Sequence, residues 1–216
     1  MSWKPKKSDV LGLLPDRLVR VRGPARESTL YLSFDDGPHP EHTPALLDLL
    51  DRYDVQASFF LVGMHVERHP SVVERIVAGG HLLGNHSWSH SRFGELDIET
   101  QIEEIDRCDR VLAGFDGRVR HPFRPPRGEL SLRLIRCCAR RRQGIVYWSR
   151  DSLDYRTEQP STELVAALRR DPPASGDIVL MHDDAHCSAA MLAELLPWWR
   201  DAGFRFAALP VLERAA

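Results

Sequence analysis

Short apolar runs alternate with stretches of helical periodicity along most of the chain. Seven runs have strand length rather than helix length: Leu30–Phe34, Ala57–Val62, His81–Gly84, His121–Arg124, Ile145–Trp148, Ile178–Met181 and Phe204–Ala207. The segments between them carry helix start and stop signals. Thr43 is placed to cap a helix that opens with Pro44 and presents Leu46, Leu47 and Leu50 on one stripe. Pro70 opens another, with Val72/Ile76 and Val73/Val77 as i,i+4 pairs and Gly79-Gly80 at its end. Ile98, Ile102, Ile105, Cys108 and Leu112 share one face of a third helix, expected to stop before Gly114. Leu130–Arg142, Thr162–Arg170 and Ser188–Ala202 also read as helical.

Strands alternating with helices imply parallel strands joined by right-handed crossovers. Seven such units suit an α/β fold closed, or nearly closed, into a barrel; an open doubly wound sheet is the alternative. Residues 1–27 read as a separate basic N-terminal extension, and residues 28–216 as one barrel domain.

Composition narrows the functional classes. The 216 residues are 43% hydrophobic and 28% charged, which suits one globular domain. Lys+Arg 29 against Asp+Glu 31 leaves no electrostatic footprint for nucleic acid. No apolar run approaches the roughly 20 residues that span a bilayer, so no integral membrane segment is expected. The patch Val10–Leu14 stops at Pro15-Asp16 with no small-residue cleavage site, and is read as no secretory signal. The four cysteines, Cys108, Cys137, Cys138 and Cys187, contain no C-x-x-C and read as free thiols. The expected location is cytoplasmic; oligomeric state is left open.

Chemically loaded residues follow the predicted strands. Asp35-Asp36 follows the first, His86 and His90 the third, Arg124 closes the fourth, Asp151 and Asp154 follow the fifth, and His182 the sixth. Strand C-terminal ends are where active sites form in parallel α/β architectures. His86 and His90 are four residues apart, a spacing that on a helical turn aims two imidazoles at one ion. Asp36 supplies a carboxylate from another strand end. Two imidazoles and one carboxylate make a three-ligand site that suits zinc and leaves positions open. Asp35 then stays unligated as a general base, with Arg124 the candidate to hold it ionised. Trp88, between the two histidines, is read equally as a groove residue or as core. His65, His69 and His81 have no partner logic, His121 lies near Arg124 without further support, and Asp183-Asp184 reads as a helix cap rather than a second metal cluster with His186 and Cys187.

Five segments in order carry a family resemblance. They are Ser33-Phe34-Asp35-Asp36-Gly37, His86-Ser87-Trp88-Ser89-His90, Phe123-Arg124-Pro125-Pro126-Arg127-Gly128, Asp151-Ser152-Leu153-Asp154-Tyr155 and Ile178-Val179-Leu180-Met181-His182-Asp183. They resemble the five motifs of the polysaccharide deacetylases, the NodB-homology group or carbohydrate esterase family 4, over roughly Leu30 to Leu209. The resemblance implies a distorted barrel of about seven βα units and a divalent metal, usually zinc. The implied reaction removes an N-acetyl group from an N-acetylglucosamine-containing glycan by a metal-bound water. By position, Asp35 resembles the base, Asp36, His86 and His90 the metal ligands, and Arg124 the base-orienting arginine. His182 resembles the general acid, with Asp154 as its carboxylate partner and Asp151 as fallback. Leu180 resembles the residue lining the acetyl pocket.

Two positions depart from the family pattern. Arg127 stands where an aromatic residue is usual, though the role there belongs to the backbone N–H. Tyr155 stands where the fourth motif usually ends in Trp, and still offers a ring to a sugar. Shortness and the absent signal resemble the compact chitooligosaccharide deacetylases. The competing readings are a metal-dependent amidase on a non-sugar amide such as an acetylpolyamine, and a non-catalytic carbohydrate-binding homologue.

Overall fold

The structure is a computed structural model that describes residues 6–25, 27–156 and 158–211. The described elements are, in order, α1 (Lys7–Leu11), β1 (Val19–Arg20), β2 (Thr29–Asp35), α2 (His42–Arg52), β3 (Ser58–Leu61), α3 (Gly63–Arg68), α4 (Pro70–Ala78), β4 (Leu82–Asn85), α5 (Ile98–Asp116), α6 (Leu132–Arg140), β5 (Ile145–Val146), β6 (Arg150–Asp151), α7 (Ser161–Arg170), β7 (Ile178–His182), α8 (Ser188–Asp201) and β8 (Arg205–Phe206). All named strand pairs are parallel, in the order β4-β3-β2-β7-β6, with β8 beside β2 and a separate pair β1-β5. Single bridges through Phe123 link Asn85 to Ile145 and so join the two sheets. The sheet therefore curls as the barrel reading expects, without closing into one continuous ladder.

Where the curl returns on itself, one extended segment borders both sheets. Tyr147 donates its N–H to the Arg20 carbonyl of β1, and Ser149 donates to the Ile178 carbonyl of β7. The chain crosses from one sheet to the other at Trp148.

Strand alternation sorts the side chains. Leu30, Leu32 and Phe34 of β2, Phe59 and Leu61 of β3, and Val179 and Met181 of β7 face outward into a core shared with the helices. Tyr31, Phe60, Val146 and Ile178 form a second cluster inside the curl. Period-two alternation from Tyr31 and Ile178 puts Ser33, Asp35, Leu180 and His182 on that inner face. Strands buried on both faces read as continuous apolar runs.

The helices end by local chemistry. Asp97 caps α5 by accepting the Thr100 N–H, and Ser131 caps α6 by accepting that of Leu134. Pro70 opens α4 as expected.

Several expectations are corrected. His121–Arg124 forms no regular strand: only Phe123 pairs, between Pro122 and Pro125-Pro126, whose nitrogens have no proton to donate. The run from Ile145 is regular only to Val146, and β1 and β6 were not read from the sequence. Helix α5 passes through Gly114 to Asp116 and ends at Gly117, whose φ of 74° takes the left-handed turn instead. Thr43 caps nothing: α2 begins at His42, and the Thr43 hydroxyl donates to Asp183. The described part of residues 1–27 is not separate but packs onto the domain. Leu11, Val19 and Val21 are buried with Phe93, Phe123 and Ile145, and β1 pairs with β5. The four cysteines are free, and among the described residues no helix is long and apolar enough to cross a membrane.

Candidate active site

Asp35 and His182 end neighbouring strands and are register partners in the β2–β7 ladder. Both lie on the inner face, so the ladder sets the pair side by side. Asp35 is almost fully buried, and its Oδ1 accepts a 2.6 Å bond from Arg124 Nη1. Arg124 is wholly buried; it also donates to Ser33 Oγ at 3.0 Å and the Tyr147 carbonyl at 3.2 Å, and lies 3.9 Å from the Phe60 ring centroid. Burial pulls its guanidinium down, and Asp35 opposes this. The short charge-assisted bond fixes Asp35 Oδ1 against a buried cation.

His182 donates from Nδ1 to Asp154 Oδ1 at 2.7 Å. Asp154 is fixed in turn by the His182 N–H at 2.7 Å and the Ser188 hydroxyl at 2.6 Å. Burial pulls the imidazolium down, but the hydrogen bond and charge of Asp154, with Asp35 and Asp36, outweigh it and raise His182 to about 9. Asp154, not the fallback Asp151, is thus the partner. Asp151 lines the cleft, and burial pushes its carboxyl up.

Asp36 leaves β2 with φ 76°. His65, which had no partner logic in the sequence, donates from Nδ1 to the Asp36 carbonyl at 2.8 Å and holds that turn. His86 and His90 lie 3.2 and 3.1 Å from Asp36 Oδ1 through their Nε2 atoms. Their convergence does not come from a helical turn. Residues 86–90 form an irregular loop in which Ser87 and His90 take φ of 69° and 56°.

One ligand atom from each of Asp36, His86 and His90 fits within 4.8 Å of the others. The donor set fits a cation. Asp36 Oδ1 is buried without a hydrogen-bond donor. His86 donates its Nδ1–H to the Arg124 carbonyl at 2.8 Å, so Nε2 is the atom turned toward that oxygen, and the neutral ring would present its lone pair there. Two lone pairs facing each other this closely need a positive charge between them.

The cleft over these residues holds about 370 Å³ and is lined by Arg127, Tyr155 and Leu180 besides the groups above. Trp88 does not line it. It is buried under Arg107, whose guanidinium lies 3.6 Å from the ring centroid, and beside Gly63. Its reading as a groove residue is therefore corrected to core. Trp148, Asp151 and Gly128 also line the cleft, which the sequence motifs do not indicate. Trp148 carried one signal, its place at the end of an apolar run. Asp183, read as a cap, is instead a buried carboxyl packed against Gly37 and bonded to Thr43, and burial pushes it up to about 8.

Residues 22–143 match the family profile described as polysaccharide deacetylase. The chain belongs to the polysaccharide deacetylases. A peptidoglycan-N-acetylglucosamine deacetylase of Bacillus cereus is 31% identical over 87% of this chain and 69% of its own length. A chitooligosaccharide deacetylase of Sinorhizobium fredii is 33% identical over 84% of this chain and 90% of its own. The crystal structure of the Bc1960 peptidoglycan N-acetylglucosamine deacetylase, in complex with an N-oxidanyl-benzamide, superposes with a TM-score of 0.86 at 28% identity, covering 99% of both chains. The curled parallel sheet is accordingly the distorted (β/α)7 barrel of this family, left open between its two sheets.

Proposed function

We propose that this chain is a metal-dependent N-deacetylase acting on N-acetylglucosamine units of an oligo- or polysaccharide. One observation carries the reading: a buried base and a raised acid, each with its own fixed partner, flank a three-ligand cluster in a single cleft. The relatives named as deacetylases of peptidoglycan and of chitooligosaccharide support the substrate class.

Asp36, His86 and His90 would hold the cation, and two imidazoles with one carboxylate favour zinc. When bound, such a cation polarises a carbonyl and acidifies water. Asp35 takes the proton of the attacking water, and Arg124 keeps its carboxylate aimed. The Arg127 backbone N–H is the donor for the developing oxyanion. His182 delivers a proton to the departing amine, a poor leaving group until protonated. Leu180 packs against the acetyl methyl, and Tyr155, half exposed, offers a ring face to the sugar.

Metal analysis with two single changes tests this. Asp36→Ala loses the metal. Asp35→Asn keeps it and loses about 10²- to 10⁴-fold in acetate release from N-acetylglucosamine oligomers. Near-normal turnover by Asp35→Asn refutes the base assignment. Faster release from acetylpolyamines than from the oligomers refutes the substrate class, and binding of oligomers without turnover by the metal-loaded wild type refutes catalysis.

A further inference from the structure

Outside the cleft lining, a buried polar network backs the loop that carries His86 and His90. At its centre is Asp109 of α5, only 3% exposed. Its Oδ1 accepts from Asn85 Nδ2 at 2.8 Å, from the His121 N–H at 3.2 Å and from His121 Nδ1 at 3.1 Å. Its Oδ2 accepts from Gln143 Nε2 at 3.1 Å. His121 Nε2 lies 3.0 Å from Asp116 Oδ1.

Asn85 is where this network meets the metal loop. Its backbone N–H donates to the Pro122 carbonyl at 2.8 Å, and its carbonyl accepts from the Arg124 N–H at 2.9 Å. Its side-chain Nδ2 donates to both Asp109 and the Ile105 carbonyl. Two acceptors on one side fix which way the amide faces. Asn85 Oδ1 is thereby turned to the Ser87 N–H, which it accepts at 2.9 Å, and Ser87 Oγ accepts the His90 N–H at 3.0 Å. Those are the two residues whose left-handed backbone makes the loop converge. A buried carboxylate is costly unless bonded, and an apolar side chain would pack α5 without that cost. The specific work left for Asp109 is orientation.

We infer that Asp109 is a positioning residue for the ligand loop: through Asn85 it holds the Ser87–His90 turn that aims both imidazoles at Asp36. The inference rests on the metal reading above, and its test needs no turnover. In metal-free Asp109→Ala, amide hydrogen exchange at Ser87 and His90 should speed up, and competition titration should show zinc bound about 10- to 100-fold more weakly. Asp109→Asn keeps one acceptor oxygen for Asn85 and should recover most of that loss. Asp116→Ala removes the other partner of His121, and should lower thermal stability while leaving zinc affinity and the two amides unchanged. Loss of zinc affinity should not add between Asp109→Ala and Asn85→Ala, since one path carries both.

Wild-type zinc affinity and unchanged Ser87 and His90 exchange in a destabilised Asp109→Ala protein would overturn the inference, as would additive losses. If that variant does not fold, Asp109→Ser, which restores a polar group too short to reach Asn85, is read in its place. If the wild type binds no divalent cation, the functional reading fails, and the exchange measurement still decides whether Asp109 sets the turn.

Discussion

Removing the charge of Asp154 isolates what keeps His182, the proposed acid, protonated. His182 and Asp154 are 13% and 0% exposed in their side chains. The imidazolium stands at about 9 against an ordinary 6.5. That gap corresponds to about 3 kcal/mol in favour of the protonated form, at roughly 1.4 kcal/mol per pH unit. In Asp154→Asn, the amide meets two donors of the same residue, the His182 N–H and Nδ1–H. Whichever way it turns, one faces an NH₂ group. The charge is gone while burial remains, so His182 should titrate near or below its ordinary value. At pH 8 the protonated fraction should fall from about nine-tenths to about three-hundredths, a rate loss of about 30-fold from protonation alone. The assays are the pH dependence of kcat/KM with metal held saturating and an NMR titration of the His182 ring. The alkaline limb should move down by about 2.5 on the pH scale. Stability follows the same sign: a raised histidine stabilises the fold fully below 6.5 and loses that contribution as pH rises through about 9. The stability gap between wild type and variant should therefore shrink from pH 6 to pH 10. An alkaline limb that stays in place in the variant would refute the account.

Gly37→Ala adds a Cβ that overlaps the Asp183 carboxyl, itself anchored by Thr43. It should cost about 1–3 kcal/mol in chemical denaturation, and Asp183→Ala in the same chain should return part of it; a fully stable Gly37→Ala would contradict this packing. Lys7 donates to the Gly128 carbonyl at 2.6 Å and braces the turn next to Arg127. Lys7→Ala should leave zinc content unchanged and lower kcat about fivefold, the equivalent of about 1 kcal/mol. Equal kcat in the two proteins would remove α1 from any part in the site.

The strands buried on both faces were legible because each is a continuous apolar run, as in Leu30–Phe34 and Ile178–Met181. Pieces of two residues such as β1 and β6 carry no such run, and their pairing comes from the curl of the sheet. The proposed ligands were legible as residue types at strand ends, because a cation site calls for an acid and two imidazoles. The way they meet was not. Left-handed backbone at Ser87 and His90 depends on Asn85 and, through it, on Asp109, which lies 24 residues further along the chain. The same turn sends Trp88 into the core beside Gly63 rather than into the groove. Asp109 and His121 looked ordinary because a helix face and a lone histidine reveal nothing until α5 packs against the chain before Arg124. The N-terminal segment looked detachable because its buried contacts, Leu11, Val19 and Val21, are thinly spread among charges.

Arg124 reaches both sheets. On one side it grips Ser33 and Asp35 of β2; on the other it grips the carbonyl of Tyr147, one residue before the chain changes sheets. It is a keystone at the mouth of an unclosed ring as well as the partner of Asp35. A variant lacking it unlocks the wall of the cleft and frees a carboxylate in one stroke. Kinetics measured on such a variant would report a mechanical change and a chemical one together, and only substitutions at Asp35 itself separate the two.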